Sequence, residues 1–372
     1  MRRTAFLLFA LAAACGGAQH SSPPLNKIPL PKGAALKPYD AANPGTPHPY
    51  NMAQLGGKVF VALGNLRPDY SVGGPGILAG VVPSQGFTDV IDLGGADGRQ
   101  CQNPGAVRAD GTMLYVTCGG DFSSNTGRAL VEVDPTAAKA TRTRTLAADE
   151  APSGLALTAN KVWIGLSSSA SLISVDRTTF ALADGPGAAH QSIQLECPHK
   201  IYAYVADLLT VGSDLYALCS SDQAGVVFRL DPSTGALRGQ ASVGATPTAL
   251  AATPDGRLAV VCSGDNTLWL AVPGQGGTIS AQLAHAYTSV TSTLQGVRSS
   301  DRYVFTTASG SNTVQKIDVS VSPAKVVAEA TLNAGTAPWD VAPLSDDEVV
   351  VSDSLSDDLT GLTAVDFKTA PQ

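Results

Sequence analysis

The side chains best suited to chemistry are five histidines, a cluster of carboxylates near the C-terminus and six cysteines. A histidine binds a metal or moves a proton near neutral pH. His20 and His48 fall in a proline-rich stretch, and His190, His199 and His285 fall in loops between apolar runs. Scattered loop histidines are ordinarily solvated, so no metal or acid–base site is assigned to them. Asp346, Asp347 and Glu348 share one turn, and Asp353, Asp357 and Asp358 are placed in a later loop. Asp353-Ser354-Leu355-Ser356-Asp357-Asp358 lacks the glycine and the terminal glutamate of a calcium loop, which leaves a solvated acidic face as the reading. The motifs G-x-S-x-G, H-E-x-x-H and Gly-Lys-Ser/Thr do not occur, and Gly74-Pro75-Gly76 lacks the third glycine of a dinucleotide fingerprint. No catalytic residue, metal or cofactor is therefore assigned. None of the cysteines forms CxxC or CxxCH, which removes zinc, thioredoxin-like and c-type haem readings.

The elements that must carry these side chains are short strands. After Asn51, runs of Val, Leu, Ile, Tyr and Ala alternate with clusters of Gly, Asp, Asn and Ser. A unit of strand, tight turn and apolar strand repeats seven times. Its turns fall at Gly57-Lys58, Asp110-Gly111, Asn160-Lys161, Ser213-Asp214, Asp255-Gly256, Ser300-Asp301 and Asp346-Asp347, 42 to 53 residues apart. Pro104, Pro152, Pro247 and Pro338 open the first strand of their units. A third strand closes on Asp134, Asp176, Asp231, Asp318 and Asp366. Four strands at this period predict an all-β, seven-bladed β-propeller over residues 51–372, because a single blade cannot bury both faces and seven packed radially can.

Asn312-Thr313-Val314-Gln315-Lys316-Ile317-Asp318, Asp265-Asn266-Thr267-Leu268, Thr253-Pro254-Asp255-Gly256 and Leu114-Tyr115-Val116-Thr117-Cys118 resemble the YVTN-repeat family of bacterial and archaeal surface propellers. Cys118 stands where that family has the asparagine of its name. The resemblance is specific for fold and silent on task, since propellers host many unrelated functions.

The N-terminus reads as an export signal over residues 1–14: Arg2 and Arg3, an apolar run, then Leu11-Ala12-Ala13-Ala14. The run is too short to span a bilayer, which takes about 20 residues. Small residues directly before Cys15 resemble the lipobox of bacterial lipoproteins, which implies acylation of Cys15, and Gly16 after it favours the outer membrane. The net charge of −7 and the 15% charged residues offer no basic surface for nucleic acid. Residues 15–50, rich in proline, read as a tether from the lipidated Cys15.

Part of that tether is needed elsewhere. The last unit runs out of chain before a fourth strand, so a segment near 26–36 is expected to complete it from outside. Pro29 and Pro31, two apart, are placed within that strand with both missing N–H groups facing solvent. Cys118 and Cys219 each end a second strand, and Cys101 and Cys197 each precede the first strand of the same unit. Antiparallel pairing then predicts Cys101–Cys118 and Cys197–Cys219 bridges, with Cys262 a free, buried thiol.

The longest loops, Gly64 to Gly76, Gly119 to Arg128, Ala183 to Tyr202 and Leu283 to Thr293, all emerge on one face. Insertions concentrated on one face mark a binding face. Tyr70, Phe122, His199, Tyr202, His285, Tyr287, Trp339 and Asp340 are its candidate binding residues. The function expected is a non-catalytic, lipid-anchored envelope protein that recognises an envelope protein or a glycan. The competing readings are a propeller enzyme (lyase, lactonase or quinoprotein-type oxidoreductase) at the channel mouth, and a structural surface-layer component.

Overall fold

A computed structural model describes residues 25–182, 192–287, 293–333, 335–354 and 362–367. The signal segment, Cys15, His20, His190, Asp357 and Asp358 lie outside these residues.

The described chain forms seven sheets of four antiparallel strands, joined in chain order into a ring. The blades span residues 49–92, 104–145, 152–194, 203–243, 247–286, 294–331 and 338–366. Second strands such as Leu258–Cys262 and Val304–Ala308 are buried at every residue, because a neighbouring blade covers each face. Fourth strands such as Lys325–Thr331 alternate between exposed and covered residues, as an outer edge does. The core is correspondingly divided into seven apolar clusters, each lying between two adjacent blades or, at the closure, between the last blade, the first blade and the N-terminal segment. No helix of the described residues is long and apolar enough to cross a membrane.

The seventh blade takes its fourth strand from the N-terminus. Leu25–Ile28 pairs antiparallel with Leu362–Asp366, from Leu25 opposite Val365 to Ile28 opposite Leu362. The strand is shorter than the sequence suggested. Its partner is five residues long, so pairing ends at Ile28 and Pro29 and Pro31 follow the strand rather than sit in it. The chain then turns through a short 3-10 segment, Gly33–Leu36. Ile28, Leu30 and Leu36 are buried between the last and first blades, so this stretch is part of the folded body.

The aspartates that end the third strands are turn residues. Oδ1 of Asp134, Asp176, Asp231 and Asp318 accepts the backbone N–H two residues on, at 2.8–2.9 Å. This side-chain turn starts the hairpin to the outer strand. Asn125, Asn266 and Asn312 take the left-handed conformation in the hairpin before the third strand, which asparagine tolerates better than most residues. The asparagines of the Asn-Thr repeat thus have a backbone reason to be there.

Both expected disulfides are present, Cys101–Cys118 and Cys197–Cys219, with Cα separations of 5.4 and 6.3 Å. Cys262 is free and buried. Cys118, Cys219 and Cys262 occupy one structural position, opposite Pro104, Val205 and Pro247 respectively.

Candidate functional site

The first strands line the central channel, and every one of them is irregular in the same place. The register shifts between Pro49 and Met52, and between Pro104 and Val107, Pro152 and Leu155, Val205 and Asp207, Pro247 and Ala249, Leu294 and Val297, and Pro338 and Val341. One extra residue per blade bends the strand at the channel mouth. Second-strand hydroxyls satisfy several of the displaced N–H groups. Ala106 donates to Thr117 Oγ1 at 3.2 Å, Gly296 to Thr307 Oγ1 at 2.9 Å and Asp340 to Ser352 Oγ at 2.9 Å.

Two charged pairs link first strands beside these bulges. Arg108 donates to Asp207 Oδ1 at 2.8 Å, joining the second and fourth blades. Arg298 donates to Asp340 Oδ2 at 2.9 Å, joining the sixth and seventh. Each aspartate also accepts a backbone N–H from the next blade: Leu250 to Asp207 Oδ2 at 3.2 Å, and Met52 to Asp340 Oδ2 at 2.9 Å. Burial pushes the Arg108 guanidinium below the usual arginine range, opposed by Asp207. Arg298 borders cavities on both sides, so the charged layer divides the channel into two hollows.

The hollow on the long-loop face has a volume of about 390 Å³, within the size range of small-molecule sites. Its walls differ by blade. The first and last blades contribute Tyr50 and Trp339, packed edge to face with centroids 5.8 Å apart. The other blades contribute mainly small or polar residues, including Gly105, Ser153, Thr248 and Gln295, with Tyr204 and Phe122 as further aromatics. Phe122 stands at the rim, 66% exposed. Burial pushes the Tyr50 phenol up to about 12, so it is a neutral donor. Asp207 accepts from protein donors on both oxygens. Asp340 is 2% exposed, yet its Oδ1 meets no donor among the described residues.

Of the residues expected from sequence to form the binding face, Phe122, Trp339 and Asp340 meet in this cavity. Tyr70 is exposed beside His48, at 5.7 Å between ring centroids. His199 Nδ1 lies 2.8 Å from the Cys197 carbonyl oxygen and so braces its own loop. Tyr202 is exposed and flanks Tyr204, a cavity residue, at 6.1 Å. His285 was expected in a loop but sits in the outer strand Ile279–Ala286, away from the channel. Tyr287 lies between the fifth and sixth blades with its hydroxyl 3.0 Å from Thr306 Oγ1. Asp346 accepts from Ser300 Oγ at 2.7 Å, and Asp347 pairs with Lys316 at 2.6 Å, so this acidic turn is tied to the sixth blade. Asp353 is buried at the end of a strand rather than in a loop. Among the described residues, no three His, Cys, Asp or Glu side chains are grouped as a metal site would need.

Sequence reasoning missed Arg108, Asp207 and Arg298. Aligning the seven first strands on the residue at which each bulge opens brings them into phase. Asp207 and Asp340 both fall two places after it (Val205, Pro338), and Arg108 and Arg298 four places after it (Pro104, Leu294).

Solved structures with the same architecture cover nearly the whole chain. Hydrazine synthase of Kuenenia stuttgartiensis superposes with a TM-score of 0.66 at 14% identity, over 87% of this chain and 96% of that one. A streptogramin B lyase gives 0.66 at 13% identity, over 93% and 98%. BamB of Moraxella catarrhalis gives 0.54 at 12% identity, over 94% and 100%. The chain is a seven-bladed β-propeller. At such identities the likeness shows the fold alone. No protein-family model and no curated protein matches the sequence.

Proposed function

We propose that this chain is a non-catalytic lipoprotein of the cell envelope, related to the YVTN-repeat propellers, which recognises a protein or a glycan through its channel mouth. The observation that carries this reading is the division of labour at the mouth. Its charged groups are engaged in ion pairs and in backbone contacts that join blades, while its wall and rim present Trp339, Phe122 and neutral polar groups. Partly exposed aromatics with donors nearby suit recognition. The export reading of residues 1–14 and the two disulfides fit an oxidising compartment outside the cytoplasm. Acylation at Cys15 leaves about ten residues before Leu25, at most about 35 Å of extended chain, which keeps the propeller near its membrane.

Two experiments test the reading. Cys15→Ser should move the protein from the membrane fraction to the soluble fraction. Tagged protein should retain an envelope component from solubilised membranes, and Trp339→Ala with Phe122→Ala should lose it. Turnover of a lactone or ester panel that depends on Asp207 or Asp340 would overturn the non-catalytic assignment.

A further inference from the structure

We propose that the channel mouth binds a neutral saccharide ring, stacked on Trp339 and hydrogen-bonded to the acceptors beneath it; this rests on the recognition reading above and specifies its ligand. Three observations converge on that chemistry. The first is charge. The charged residues bordering the mouth are Asp207, Arg298 and Asp340, with Arg108 paired to Asp207. Two carboxylates and two guanidiniums cancel pairwise at 2.8 and 2.9 Å, so the site gives no net attraction to an ionic ligand.

The second is an excess of acceptors. Asp340 Oδ1 and Asn103 Oδ1 are both buried, and neither meets a donor among the described residues. Both residues border the same cavity. A buried acceptor left unmet costs free energy, and a ligand that donates hydrogen bonds there recovers it. Sugar hydroxyls donate in several directions from one rigid ring. Gln295, on the adjoining blade, offers its second amide proton and an acceptor to the remaining hydroxyls, while Ser153 and Thr248, whose protons go to backbone carbonyls, offer acceptors.

The third is the wall. Tyr50 holds Trp339 edge to face at an interplanar angle of 73°, leaving Trp339 37% exposed toward the mouth. The negative face of an indole attracts the C–H face of a pyranose, as it attracts other positive edges. Around it the cavity wall carries Gly105, Ala106 and Ala206, and Gly296 lies against the Trp339 backbone; these small residues leave room for a flat ring. The indole is fixed before binding, so little side-chain entropy is lost on stacking.

The test is titration calorimetry and saturation-transfer NMR of the whole folded chain. The probes are glucose, galactose, N-acetylglucosamine and cellobiose, with galacturonate and glucosamine as charged comparators. At least one neutral sugar should bind saturably, and its Kd should rise at least tenfold in Trp339→Ala and in Gln295→Ala while both variants still unfold cooperatively well above the titration temperature. Trp339→Phe should retain part of the affinity. Binding of the charged sugars alone, or neutral binding indifferent to Trp339→Ala, would overturn the assignment. If no neutral sugar binds but a membrane partner is still retained by the wild type and lost in Trp339→Ala, the saccharide is wrong and the recognition reading stands. If neither occurs, both fall.

Discussion

Asp340 and Met52 stand 288 positions apart in sequence, and Asp340 Oδ2 accepts the Met52 backbone N–H at 2.9 Å. That contact closes the ring at its centre, joining the last blade to the first, as Leu25–Ile28 closes it at the edge. The same oxygen takes Arg298. Asp340→Ala removes an anchor for a backbone donor and strands a partly buried guanidinium. Breaking a buried pair from one side costs about 3 kcal/mol or more. Urea unfolding should show that loss. Asp340→Asn keeps an acceptor for Met52 and should lose less. Equal midpoints for wild type and Asp340→Ala would mean the contact does not hold the ring.

The edge closure has its own test. Ile28, Leu30 and Leu36 are at most 3% exposed. Truncating one such side chain to alanine costs about 2–3 kcal/mol through lost burial and the cavity left behind. Leu36→Ala and Ile28→Ala should each lower Tm by several degrees in calorimetry. Deleting residues 23–36 should lower it further and expose the edge of Leu362–Asp366. An unchanged transition after deletion would show that this segment only links.

The repeat was legible because burial on both faces writes itself into second strands such as Val162-Trp163-Ile164-Gly165-Leu166 as unbroken apolar runs. A closing strand drawn from the N-terminal segment was legible as well, and Leu25–Ile28 supplies it. Its extent was not. Two prolines spaced by two are compatible with an edge strand, and only the partner's length shows that pairing stops at Ile28. The channel chemistry was hidden for a different reason. The bulge in each first strand breaks the alternation of inward and outward residues, so Asp207 and Asp340 do not fall in phase with an inward face. His285 was misplaced because its outer strand, Ile279–Ala286, carries only two large apolar residues, Ile279 and Leu283, among small and polar ones and so lacks the apolar run that marks the second strands.

The cysteines divide by partner. The two bridges close loops with separations of 17 and 22 residues, each contributing about 3 kcal/mol in the chain-entropy model. Cys101→Ala with Cys118→Ala should lower stability by about that much, as should Cys197→Ala with Cys219→Ala. Burial pushes the Cys262 thiol up to about 12, which leaves almost no thiolate at neutral pH. Thiol titration should therefore find no reactive group in the native protein and one after unfolding without reductant in the mature chain outside position 15. Mass mapping that linked Cys262 to any other cysteine would refute this assignment.

Asp353 gives the protein a specific pH dependence. It ends the second strand of the last blade opposite Pro338, next to the mouth residue Trp339, and is 4% exposed. Thr363 Oγ1 donates to its Oδ2 at 2.8 Å, while Oδ1 meets no donor among the described residues. Burial outweighs the Thr363 hydrogen bond and the pull of Lys27, raising the carboxyl from 3.8 to about 7. Between those values the folded chain holds a proton that the unfolded chain has released. Stability then falls as pH rises through this window, because the unfolded state binds fewer protons there. Above pH 7 the whole penalty is present, and below about pH 4 it is absent. Asp353→Asn keeps an acceptor for Thr363 and removes the ionisation. It should leave stability nearly unchanged at pH 4 and raise it at pH 8 by a few kcal/mol, since each tenfold change in proton affinity corresponds to about 1.4 kcal/mol. Urea midpoints of wild type and variant at pH 4, 6 and 8 measure the difference directly. A gap that does not widen with pH would show that Asp353 is ionised in the folded state at no cost.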